Sequence, residues 1–119
     1  QRSAVSTDEG QGNLRVVPVG GIPWRVSLQK GDENPIQGWY SPTYTQRVPN
    51  PTAVYTADIP GTTTFAWVLL PARGDVPEVE ATVMSSREDR IEVRVEVGGD
   101  AHVFMIPMNS WRPSVRSTR

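Results

Sequence analysis

Cysteine is absent from these 119 residues, which excludes disulfides, thiolate metal ligands and thiol nucleophiles together. It leaves the compartment open. Histidine occurs once, at His102, so metal sites built on two or three imidazoles are excluded and imidazole acid-base chemistry would rest on that residue alone. Lysine is as scarce. Lys30 stands beside eleven arginines, a bias compatible with bidentate carboxylate or sulfate contacts and equally with GC-rich codons. Net charge is missing too, because 13 acidic and 12 basic residues leave −1. No global field gathers nucleic acid or an anionic membrane, and neither is expected as a partner. No run approaches the ~20 apolar residues of a membrane span, and the opening residues do not read as a signal segment.

What is present is punctuation. Ten glycines and 11 prolines against a hydrophobic fraction of 37% point to short elements joined by many turns, and the length suits one domain with one core. Residues 1–13 are polar and read as a flexible lead-in. Leu14 to Val19 and Trp24 to Gln29 are short β-branched runs around Gly20-Gly21-Ile22-Pro23, which reads as closing a hairpin or as a strand-to-strand turn. Lys30 to Pro35 reads as a surface loop. Thr52 to Asp58 alternates, and Thr62 to Leu70 is apolar enough for a strand at the centre of a sheet, stopped by Pro71. Glu78 to Ser85 precedes the clearest element of the chain: from Ile91 to Val97 every odd residue is apolar and every even one charged, a period of 2. Gly98-Gly99-Asp100 turns the chain and Ala101 to Met108 returns. The expectation is an all-β protein, an antiparallel β-sandwich of about eight short strands in a single domain over 14–109. Residues 110–119, basic and without an acidic side chain, read as a tail. The chain opens on Gln1 and not on Met, which suits a piece of something longer.

Catalytic constellations are thin. A two-residue turn at Gly98-Gly99 puts His102, Phe104 and Ile106 on the face of Val93 and Val95, whereas a three-residue loop leaves His102 on the charged face. In neither case does a serine elbow or a carboxylate pair accompany it. Glu78 with Glu80, and Glu92 with Glu96, share a face by spacing. A glycosidase pair would further need a concave site, and a solvated face needs nothing more. Gly20-Gly21 lacks the helix N-terminus a phosphate would use. Arg73-Gly74-Asp75 matches an integrin-binding triplet in letters that recur by chance. No catalytic residue, metal ligand or cofactor is therefore assigned.

The informative stretch is Gly38-Trp39-Tyr40-Ser41-Pro42-Thr43-Tyr44-Thr45-Gln46-Arg47-Val48-Pro49. Rigid aromatic rings beside an always-charged guanidinium suit a sugar ring or an acidic ligand, and they equally suit a packed corner of a sandwich. Trp39, Tyr40, Tyr44 and Arg47 are the candidates for carbohydrate contact, with Trp24 as a further one. Tyr40, Tyr44 and Arg47 are also the one trio with residue types for proton abstraction beside a uronate, a role that needs a depressed tyrosine pKa.

Gly38-Trp39-Tyr40-Ser41-Pro42-x-Tyr44, Arg47, the Pro49-x-Pro51 pair and Phe65-Ala66-Trp67-Val68-Leu69-Leu70-Pro71 resemble the C-terminal β-sheet region of heparinase II/III-type polysaccharide lyases. Specific letters match over roughly Ile36 to Pro71. Thr45 departs from the pattern, which has glycine after the tyrosine. The resemblance implies a non-catalytic β-sandwich portion of a lyase that cleaves acidic, uronic-acid-containing polysaccharide by β-elimination. Its catalytic residues would lie in a separate catalytic domain, of the same or a neighbouring chain, against which this portion packs. It implies a periplasmic or secreted protein. A free-standing carbohydrate-binding module and a structural or assembly domain without ligand are the alternatives.

Overall fold

The computed structural model describes residues 2–110 and 113–118. They form thirteen strands and no helix, and every strand pairing is antiparallel. The fold is all-β and sandwich-like. Where one domain over 14–109 was expected, the chain divides into two compact units, Gln1–Ile22 with Thr62–Arg119, and Pro23–Gly61.

In the first unit, β1 (Ala4–Val5), β2 (Gly12–Val19) and β9 (Ala66–Arg73) make a three-stranded sheet in the order β1-β2-β9. β10 (Val79–Ser86), β11 (Arg90–Val97), β12 (Asp100–Pro107) and β13 (Ser114–Thr118) make a four-stranded meander. The period-2 pattern of β11 dictates the packing. Ile91, Val93 and Val95 are buried with Val17, Val19 and Val79 in one cluster, joined by Val68, Leu70, Val83 and Phe104. The other face of β11 carries its charges, with ion pairs Arg90–Glu92 and Arg94–Glu96. Gly98 and Gly99 take φ of 60° and 91°, the two positive values a two-residue type I′ hairpin needs. His102 then pairs across from Val95 and Phe104 from Val93, which settles the hairpin alternatives in favour of the two-residue turn and puts His102 on the apolar face.

Several sequence expectations are corrected. Residues 1–13 are not all lead-in. Ala4 and Val5 pair with β2, and Asn13 is buried, its side-chain amide bonding Ser6, the Asp8 backbone and the Gly74 carbonyl. One amide thus satisfies two loops at once. The expected tail supplies β13, with Val115 opposite Phe104 and Ser117 opposite His102. Its two β-branched residues, Val115 and Thr118, suit a strand although it holds one aliphatic. Trp111, Arg112 and Arg119 of that tail lie outside the described residues.

Gly20 to Pro23 closes no hairpin, because β2 pairs with β9 and not with the next strand. The strand read as Thr62 to Leu70 begins at Ala66, runs through Pro71 to Arg73 and is the edge of its sheet rather than the centre. Pro71 fits because it faces Leu14, whose own backbone bonds the other way, to Ser6. The missing N–H therefore falls on the open side, where a sheet tolerates proline.

Glu78 and Glu80 do not share a face. Glu78 lies just ahead of β10 and grips Arg15 with both oxygens, at 2.9 and 3.1 Å, while Glu80 stands opposite Glu96. Arg15 points inward from β2, 7% exposed, and also donates to the Val76 carbonyl at 3.1 Å. A buried guanidinium that loses its carboxylate keeps its desolvation cost. Because the Glu78 side chain is 85% exposed, solvent screens the pair, and Glu78→Ala destabilises the protein by about 1 kcal/mol. Urea unfolding followed by tryptophan fluorescence reads this as a lower midpoint with an unchanged slope, and a midpoint equal to wild type would show that the Val76 carbonyl and Ser3 Oγ satisfy Arg15 without Glu78.

Candidate functional site

The aromatic segment lies in the second unit. β3 (Arg25–Gln29) pairs with β8 (Thr52–Thr56). Between them the chain makes two miniature ladders, β4 (Asp32–Glu33) with β5 (Ile36–Gln37) and β6 (Trp39–Tyr40) with β7 (Val48–Pro49). The stretch Lys30 to Pro35, expected as loop only, thus includes β4.

Gly38 ties this region together. Its carbonyl accepts from the backbone N–H groups of Gly31 at 2.9 Å and Asn50 at 2.7 Å. Its φ is +71°, and a Cβ placed there would sit 2.6 Å from the Gln29 carbonyl oxygen. Only glycine takes that conformation without strain and lets the two backbones approach so closely. Trp39 follows directly and is half-buried. Its indole N–H donates to the Asp32 carbonyl at 2.8 Å, which fixes the ring.

Arg47 lies over that ring, its guanidinium carbon 4.3 Å from the ring centroid. Its Nη2 donates to both oxygens of Glu33, at 3.0 and 3.1 Å. Ring and carboxylate together hold the cation in one place, although the Arg47 side chain remains 48% exposed. Both bonds leave from Nη2, so Nη1 and Nε keep their donors for water or a ligand.

Residues 41–47 form the loop between β6 and β7. Ser41 Oγ lies 2.9 Å from the Thr43 carbonyl and 2.8 Å from that of Gln46, and the Gln46 N–H donates to the Thr43 carbonyl at 3.2 Å. Thr45, third residue of that four-residue turn, has φ +68°, the arrangement of a type II turn, which prefers glycine there. A β-branched residue thus sits in a left-handed conformation. The turn carries Tyr44 at its tip, 94% exposed, and Tyr40 is 56% exposed.

The candidates therefore divide. Trp39 and Arg47 are in direct contact, and Tyr40 and Tyr44 belong to the same ladder and loop. Trp24 does not join the Trp39–Arg47 contact as a second stacking partner. It stands just ahead of β3, edge-on to Tyr55 with centroids 6.3 Å apart and planes at 87°, a packing geometry. Sequence reasoning missed Glu33, which no aromatic pattern flags because it comes from β4. Gly38 was seen as part of the segment but not as its anchor. Among the described residues no group of three or more His, Asp or Glu is placed to hold a metal ion.

Comparison with known proteins adds no identification: no family model, curated protein or solved structure matches this chain.

Two substitutions test the geometry. Gly38→Ala forces a Cβ into the Gln29 backbone and costs at least about 1–3 kcal/mol from the left-handed conformation alone. Thr45→Gly relieves a strained position and raises stability by up to about 1 kcal/mol. Thermal melts of both variants check the opposite signs, and a stabilising Gly38→Ala would overturn the close approach described.

Proposed function

We propose that this chain is the non-catalytic β-portion of a heparinase II/III-like polysaccharide lyase, serving as scaffold and as a contact surface for acidic polysaccharide. The carrying observation is the Arg47 guanidinium held between the Trp39 ring and Glu33 with donors to spare. Beside it in sequence are two exposed tyrosines. A uronate carboxylate takes the open edge of the guanidinium by charge-assisted bonds, and the tyrosine rings offer flat apolar area at low rotamer cost. Trp39 acts as a support for Arg47 rather than as an open platform, since the cation covers one ring face.

Nothing in the arrangement supplies a base. No histidine or second cation stands in the loop between β6 and β7, so its tyrosines are read as binding groups. A periplasmic or secreted location belongs to the same proposal, because that is where such a polymer is met. The scaffold role draws on the first unit, where an apolar groove of about 600 Å³, open to solvent, lies along β9, β11 and β12.

Isothermal calorimetry tests the contact surface. A uronic-acid oligosaccharide is expected to give saturable heat and a neutral oligosaccharide of equal length much less. Tyr44→Ala is expected to weaken binding by about tenfold, the scale of one stacked ring. Arg47→Ala removes the preference for the acidic ligand. No heat with the acidic oligosaccharide in the folded wild type would sink the glycan reading.

A further inference from the structure

A guanidinium offers a carboxylate two forks, each made of two parallel N–H bonds. Nε and Nη2 form one, Nη1 and Nη2 the other. Nη2 belongs to both, and in Arg47 it is the nitrogen that Glu33 holds, with oxygens at 3.0 and 3.1 Å. The donors left on Nε and Nη1 therefore stand on different edges, each without its second prong. An acid group that arrives while Glu33 stays in place gets single hydrogen bonds and meets a like charge at short range.

Glu33 is placed so that it can leave. Its backbone is held in the β4–β5 ladder opposite Ile36, whereas its side chain is 64% exposed and can turn into water without disturbing that pairing. An ion pair this exposed is worth a factor of roughly five at most. Arg47 keeps its place without it. The guanidinium carbon lies 4.3 Å from the Trp39 ring centroid, and that ring is anchored separately, by its indole N–H on the Asp32 carbonyl at 2.8 Å. The carboxylate is the removable member of the trio.

We propose that Glu33 is the selectivity residue of the Arg47 site: its carboxylate is an internal substitute for the ligand's acid group, and an acidic oligosaccharide binds by taking its place on Nη2. The exchange trades one carboxylate for another and leaves the local charge unchanged. Small anions gain nothing by it, because a ligand displaces Glu33 only when it brings further contacts, here with the exposed rings of Tyr40 and Tyr44. Salt has little hold on such an exchange, since the site presents no uncompensated cation. This role rests on the acidic-polysaccharide reading given above, and it can fail while that reading stands.

Calorimetry on the full chain tests it, comparing wild type with Glu33→Gln against a uronic-acid oligosaccharide and a neutral one of equal length. Glutamine keeps an acceptor oxygen for Nη2 and removes the charge. Glu33→Gln is expected to bind the acidic oligosaccharide about fivefold more tightly, the scale of one like-charge contact in water, and the neutral one as wild type does. Its acidic binding is also expected to fall more steeply than that of wild type as salt is raised. Equal or weaker acidic binding by Glu33→Gln, beside saturable heat in the wild type, overturns the role of Glu33 and leaves the contact surface standing. Tighter binding of both oligosaccharides also overturns it, because loop structure and not charge has then changed. Heat from the acidic ligand in Glu33→Gln with none in the wild type supports the exchange, which then costs the wild type all measurable affinity. No heat in either protein overturns both readings.

Discussion

The inner face of β11 must stay dry. Ile91, Val93, Val95 and Val97 recur there at period 2 with charges between them, so a slip of one residue would exchange the aliphatic row for Glu92, Arg94 and Glu96. That penalty fixes the register of both neighbours. Val83 and Phe104 flank Val93, and Ala81 and His102 flank Val95. The opposing sheet answers with Val17, Val19, Val68 and Leu70. Among the described residues Val17 alone is completely buried among the larger side chains, because branched aliphatics of modest size seal only the middle of the interface.

The two ends of that interface are finished differently. At one, Asn13 and Arg15 continue the inward positions of β2 after Val17 and Val19. A buried amide and a buried guanidinium need partners in fixed places, and they find them in the Asp8 loop, Gly74, Val76 and Glu78. The cost of leaving these groups unmatched holds two otherwise turn-rich segments, the Asp8 loop and the β9–β10 connection, in position. At the other side of the sandwich the apolar lining of β11 and β12 continues into a groove open to solvent beside β9.

The sequence made some of this legible and not the rest, for physical reasons. Period 2 in Ile91 to Val97 and the paired glycines after it specify a hairpin locally, so they were readable to the residue. β9 was readable as a strand but not as an edge, because its partner β2 lies some fifty residues back and apolar content does not encode neighbour count. Its extension through Pro71 depended on which way the Leu14 backbone points, which no composition shows. β13 was missed because its pairing with β12 supplies what its own side chains lack. In the second unit the aromatic cluster was visible from residue types, yet Glu33 and the close approach at Gly38 are products of tertiary geometry.

That geometry decides what the Arg47 site is able to do. Glu33 neutralises the guanidinium from 3.0 Å, and the whole chain carries a net −1, so little field reaches beyond the ~8 Å screening length of physiological salt. The site therefore offers little long-range attraction to a polyanion. What the pairing with Trp39 and Glu33 does supply is order. An arginine side chain carries about 2 kcal/mol of rotamer entropy, and a cation already pinned over a ring loses less of it when a carboxylate arrives. On the proposed reading, recognition at such a site is a matter of contact and fit, with Nη1 and Nε as donors and Tyr40 and Tyr44 as the surfaces against which a sugar ring would lie.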